Sequence, residues 1–122
     1  MSSPIVHIDI HGGDEAAQHR FYAELFGWQV DAKGPGYALV RTPPGGPDGA
    51  LVESEDAPGV VFGVAVDDLD AAVERAAALG GTVVMPPTDN GWVVKAQVTD
   101  PAGNRVTLVR STPTNVGYTA AG

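Results

Sequence analysis

From Val6 to Ile10 the chain alternates: Val6, Ile8 and Ile10 are apolar, while His7 and Asp9 are polar. That period of two marks a half-buried strand, predicted near 5–10. The period then changes. In "GGDEAAQHRFYAELFGW", Ala17, Phe21 and Leu25, and Tyr22 with Phe26, recur at helical spacing. The spacing predicts a helix near 14–26, with Asp14 as its N-cap and Gly27 closing it. Three short strand patterns follow, "WQVDA", "GYALVRT" and "GALVES", separated by the turns "KGPG" and "PPGGPDG".

The same order returns 54 residues later. "VVFGVAV" reads as a strand near 60–66. "DDLDAAVERAAALGG" reads as a capped helix near 68–79, with Leu69, Ala72, Val73, Ala76 and Leu79 inward. "TVVMP", "GWVVKAQVT" and "NRVTLVR" read as three more strands. Asp14 falls on Asp68, Leu25 on Leu79, Gly27 on Gly81, Val30 on Val84, and Pro47 and Gly49 on Pro101 and Gly103. A fixed spacing of this kind signals a duplicated supersecondary unit. The expected fold is therefore α+β, a single domain over 1–122 made of two tandem βαβββ units. These are expected at about 4–55 and 59–110, with a tail over 111–122. Neither unit can bury its helix face and both faces of its sheet alone, so the two are expected to pack together.

Composition narrows the function classes. Hydrophobic residues make up 43% of the 122, enough for a packed core, and the formal net charge is −8. The seven Lys and Arg are scattered, so a nucleic-acid partner is not expected. There is no cysteine, hence no disulfide and no thiolate ligand or nucleophile. No apolar run is long enough to span a bilayer, and "MSSPIVHID" lacks the pattern of a signal peptide. The expectation is a cytoplasmic protein with no membrane partner. Neither a "GxSxG" turn nor a phosphate loop with its lysine and following helix is present.

The ordered pieces "VHIDI…FYAELFGW", "VDDLDAAVERAAALGG" and "TDPAGNRVTLV" resemble the vicinal oxygen chelate superfamily. That superfamily includes glyoxalase I, bleomycin-resistance proteins and extradiol dioxygenases. The resemblance covers about residues 4–110. It implies that each unit curls a mixed sheet around half of a cleft, with the helices outside and ligands inside. It also implies a homodimer. Members that use a metal draw ligands from the first and last strand of each unit. On this sequence those positions fall on His7 and Glu53 in unit one, and on Val61 and Thr107 in unit two. Valine cannot ligate and threonine ligates weakly, whereas protein metal sites normally present three or four ligands. His7 and Glu53 thus form a partial site, with Asp9 about 7 Å along the strand from His7 and awkwardly placed to join it.

By parity, Val61, Gly63 and Ala65 share a face, as do Val93, Lys95 and Gln97, Leu39 and Arg41, and Arg105, Thr107 and Val109. The expected ligand-binding residues are His7, Asp9, Glu53, Val61, Gly63, Lys95 and Thr107. His11 reads as a solvated turn residue and His19 as surface. Two functions follow from the resemblance. One is a protein that binds a small organic molecule in its cleft without a tightly bound metal. The other is an isomerase, lyase or dioxygenase of the glyoxalase I type, with a divalent zinc, nickel, iron or manganese ion and Glu53 as catalytic base.

Overall fold

The structure is a computed structural model that describes residues 3–54, 59–91 and 93–111. Trp92, the stretch 55–58 and the tail from 112 lie outside the described residues. By its contacts the chain separates into two compact units. One is built on His7–Val61, the other on the chain from Phe62 together with its start up to Val6.

Taken by the sequence repeat, whose bounds differ from these by a few residues, the first unit runs β1 (Ile5–Gly12), α1 (Glu15–Phe26), β2 (Gln29–Gly34), β3 (Tyr37–Arg41) and β4 (Asp48–Glu53). The second runs β5 (Gly59–Val66), α2 (Leu69–Ala78), β6 (Thr82–Asp89), β7 (Val94–Thr99) and β8 (Arg105–Arg110). The fold is α+β, and both units are βαβββ as the repeat predicts. In the first, β4 pairs parallel with β1 and antiparallel with β3, and β3 pairs antiparallel with β2. In the second, β8 pairs parallel with β5 and antiparallel with β7, and β7 pairs antiparallel with β6.

Both helices begin where a carboxylate accepts from the first-turn amides. Asp14 accepts from Ala17 N at 3.2 Å, and Asp68 accepts from Ala71 N at 3.0 Å. Asp14 does so from a left-handed backbone (φ 56°), whereas Asp68 is extended. Gly27 closes α1 in the left-handed conformation, and its N–H reaches Ala23 O.

The helices differ in what they bury. Leu69 and Val73 of α2 pack with Ala96, Val98 and Leu108 in a continuous core. Leu79, expected to point inward, is 63% exposed just past the helix end. No residue of α1 is fully buried. Tyr22 and Trp28 stack at 5.5 Å and lean on the core of Ala38, Val40 and Leu51, but Phe21, Leu25 and Phe26 stand more than half exposed.

Candidate functional site

The first unit's sheet has two unlike faces, fixed by the alternation of β1 and the register of its neighbours. Laterally paired residues point to the same side of a sheet. Ile10 with Leu51, Ala38 and Val40 forms the face under α1. The opposite face carries His7 beside Asp48, Asp9 beside Ala50 and Leu39, and His11 beside Val52 and Tyr37.

On this face His7 and Asp9 meet. Although two positions apart, their side chains lean together, with His7 Nε2 2.7 Å from Asp9 Oδ1 and both only partly exposed. A carboxylate oxygen accepts, so Nε2 of His7 is the donor of this contact. Tyr37 joins them. Burial, and then the charge of Asp9, raise its phenol above the ordinary value of 10.0. At neutral pH Tyr37 is therefore a protonated phenol on the face that carries the His7–Asp9 pair. The sequence reading did not single out Tyr37, yet the parity that paired Leu39 with Arg41 reaches it two residues earlier on β3. Asp48, next to His7, is buried and accepts from Thr42 N at 2.9 Å, a contact that closes the β3–β4 turn.

Glu53 is not on that face. It pairs with Gly12, five register positions beyond His7, about 16 Å along the strand. Its parity also sends it to the helix side, where Oε2 accepts from Glu15 N at 3.0 Å. The sequence-derived half site of His7 and Glu53 is thus taken apart by register. A small recess lies there, lined by Ile10, Gly12, Glu15, Gln18, His19 and Glu53 among others. His19, expected at the surface, turns Nε2 into the protein, where it has no hydrogen-bond partner among the described residues.

In the second unit Gly63 pairs with Thr107 and Ala65 with Val109, while β7 adds Gln97 beside Thr107 and Lys95 beside Val109. The register joins these three parity sets on the face opposite α2. Gln97 Nε2 donates to Thr107 Oγ1 at 3.5 Å, and Thr107, Gly63, Val61 and Ala65 are buried. It is a face of small and apolar groups crossed by the polar Thr107, Gln97 and Lys95.

A divalent ion does not fit this donor set. Among the described residues no three of His, Asp or Glu converge as a metal centre requires. His7 and Asp9 spend a ring nitrogen and a carboxylate oxygen on each other, Glu53 lies across the sheet, and Val61 and Gly63 offer no side-chain donor.

Two βαβββ units, each with a helix on one sheet face and mixed strand pairing, define the class to which the comparisons also lead. The chain belongs to the glyoxalase-like domain family, whose model matches residues 6–109. It is 33% identical to the protein described as "Putative glyoxylase CFP32" of Mycobacterium tuberculosis, over 83% of this chain and 43% of that protein. The chain therefore spans less than half the length of that curated relative. Among solved structures it is similar to a glyoxalase/bleomycin resistance protein/dioxygenase superfamily member from Vibrio splendidus (TM-score 0.68, 17% identity, 90% of this chain and 100% of that one). It is also similar to the Mn(II)-bound glyoxalase from Novosphingobium aromaticivorans (TM-score 0.70, 18% identity, 89% and 40%).

Proposed function

We propose that this glyoxalase-like protein binds a small organic molecule on the sheet face that carries His7, Asp9 and Tyr37, without a tightly bound metal. The observation that carries the reading is the His7–Asp9–Tyr37 cluster. It is partly buried, and it offers a phenol, an imidazole and a carboxylate within one face. A few convergent polar groups on an otherwise apolar wall are what a small-molecule site needs. Leu39, Ala50 and Val52 supply that wall. On the second unit the equivalent face, with Val61, Gly63, Lys95 and Thr107, is proposed as a mainly apolar ligand surface. The proposed setting is the cytoplasm and the proposed assembly a homodimer. The exposed Phe21, Leu25 and Phe26 offer apolar surface for the latter. Light scattering at twice the monomer mass is the expected result.

A second reading is a metal-dependent isomerase, lyase or dioxygenase. It draws on the His7–Asp9 pair, since an imidazole oriented by a carboxylate can take a proton from a substrate. It also draws on the Mn(II) bound by the Novosphingobium glyoxalase. Metal analysis of protein purified without chelator, joined to a thermal-shift screen of small organic compounds, separates the readings. The proposal expects substoichiometric transition metal. It also expects compounds whose stabilisation is lost in His7→Ala and weakened in Tyr37→Phe. One equivalent of bound metal, with no compound sensitive to His7 or Tyr37, would favour the second reading.

A further inference from the structure

Glu53 closes a ring of three hydrogen bonds. Glu15 N donates to Glu53 Oε2 at 3.0 Å, Gly36 N donates to Glu15 Oε2, and Glu53 N donates to Gly36 O at 2.8 Å. The ring ties the last residue of β4 to the first turn of α1 and to the turn between β2 and β3. One residue further on, Ser54 N donates to Gly12 O at 3.0 Å. The end of β4 is therefore held on both sides, with Glu53 opposite Gly12.

The second unit has Thr107 at the repeat position of Glu53, and another register. Residue i of β1 pairs with residue i + 41 of β4, whereas residue i of β5 pairs with residue i + 44 of β8. The repeat would place Glu53 where Thr107 stands, beside the counterpart of Gly63, which is Asp9. Instead β4 is displaced by three residues, and an odd displacement moves every side chain to the other face. Ala50, not Glu53, lies beside Asp9.

We infer that Glu53 is a positioning residue, and that its ring holds β4 in the displaced register. It thereby determines that Ala50 and Val52, rather than a carboxylate, line the face of His7, Asp9 and Tyr37. A carboxylate is not required for this role. A glutamine carbonyl accepts from Glu15 N equally well, and that substitution separates the role from metal ligation, for which an amide is a poor substitute.

The test compares the unmodified protein, Glu53→Gln and Glu53→Ala by amide hydrogen exchange and by manganese(II) titration. The Glu15 amide is expected to exchange about fivefold faster in Glu53→Ala, the loss of one ordinary hydrogen bond. It should stay near its original rate in Glu53→Gln. Manganese affinity, whatever its value, should be the same in all three. Unchanged Glu15 exchange in Glu53→Ala would overturn the inference. So would manganese affinity falling tenfold or more in Glu53→Gln, an arm that holds even if Glu53→Ala does not fold.

Discussion

In the first unit the turn into the last strand is closed by Asp48, which lies inside β4, is buried and accepts from Thr42 N. Thr42 Oγ1 also donates to Pro47 O at 2.9 Å. In the second unit the corresponding turn is closed before the strand begins. There Asp100 accepts from Ala102 N and Asn104 N, both at 2.9 Å, and from Asn104 Nδ2 at 3.0 Å. Those bonds, first of all that from the Asn104 side chain, hold the Asp100 carboxyl below the usual carboxylate range. One turn draws its aspartate into the sheet and the other leaves it outside. The turns accompany a three-residue difference in register that keeps Glu53 off the face of His7, and the polar groups of that face come from β1 itself, where His7 and Asp9 stand at the repeat positions of Val61 and Gly63. Duplicated sequence does not guarantee duplicated chemistry when the turns have diverged.

The comparison breaks first at its glycines. Gly49 and Gly103 match in the repeat, but a β-carbon on Gly49 would overlap the Ile8 carbonyl oxygen, while at Gly103 it would meet open space. Gly49→Ala should cost about 3 kcal/mol or more, because β1 and β4 must separate. Gly103 has a left-handed backbone (φ 98°), so Gly103→Ala should cost only about 1 kcal/mol. Denaturant melts of the two variants check this. Equal costs would mean that the two turns are alike.

The helices sharpen the contrast. Leu69 is 4% exposed in the second unit's core, and Leu25 is 60% exposed on α1. Leu69→Ala should lose about 2–4 kcal/mol, and Leu25→Ala about 0.5 kcal/mol or less in the monomer. A large loss at Leu25 that depends on protein concentration would instead reveal a partner on α1, as the proposed homodimer allows.

The polar face makes its own prediction at alkaline pH. The folded state raises the Tyr37 pKa, so folding favours the neutral phenol. That contribution is complete below the unfolded value of about 10 and is lost as pH rises through the folded value. Tyr37→Phe should therefore make unfolding less steep above pH 10, with little change at neutral pH. The absorbance titration of the tyrosines should lose its most alkaline phase. A titration without that phase in the unmodified protein would remove Tyr37 from the cluster.

Much of this was legible in the chain. Alternation located β1, Asp14 and Asp68 marked both helix starts, the 54-residue repeat gave the βαβββ order, and the resemblance carried by "FYAELFGW" and "TDPAGNRVTLV" pointed to the family. Parity set Lys95 with Gln97, and Gly63 and Thr107 each within its own strand's set, while the register joins them on one face. What was not legible is register. Matching Gly49 to Gly103 assumed one turn geometry, yet Gly49 lies within a strand and Gly103 within a turn. The contacts that decide between them, Thr42 to Asp48 and Glu15 to Glu53, join residues that periodicity does not connect. The His7–Asp9 contact escaped for a related reason. Spacing along a strand fixes the backbone separation, not how far two side chains lean toward each other.

The central claim is the displaced register of β4, and the absence of native cysteines allows a direct test. Val52→Cys can be combined with either His11→Cys or Ile8→Cys. Val52 stands beside His11 in the structure, whereas the second unit's register would set it beside Ile8. Paired strand residues lie about 5 Å apart, within disulfide reach, and a partner three residues away does not. Under mild oxidation the 11/52 pair should form the intramolecular disulfide, read by intact mass, and the 8/52 pair should stay reduced. Rapid closure of 8/52 with 11/52 left open would contradict the account and return Glu53 to the face of His7.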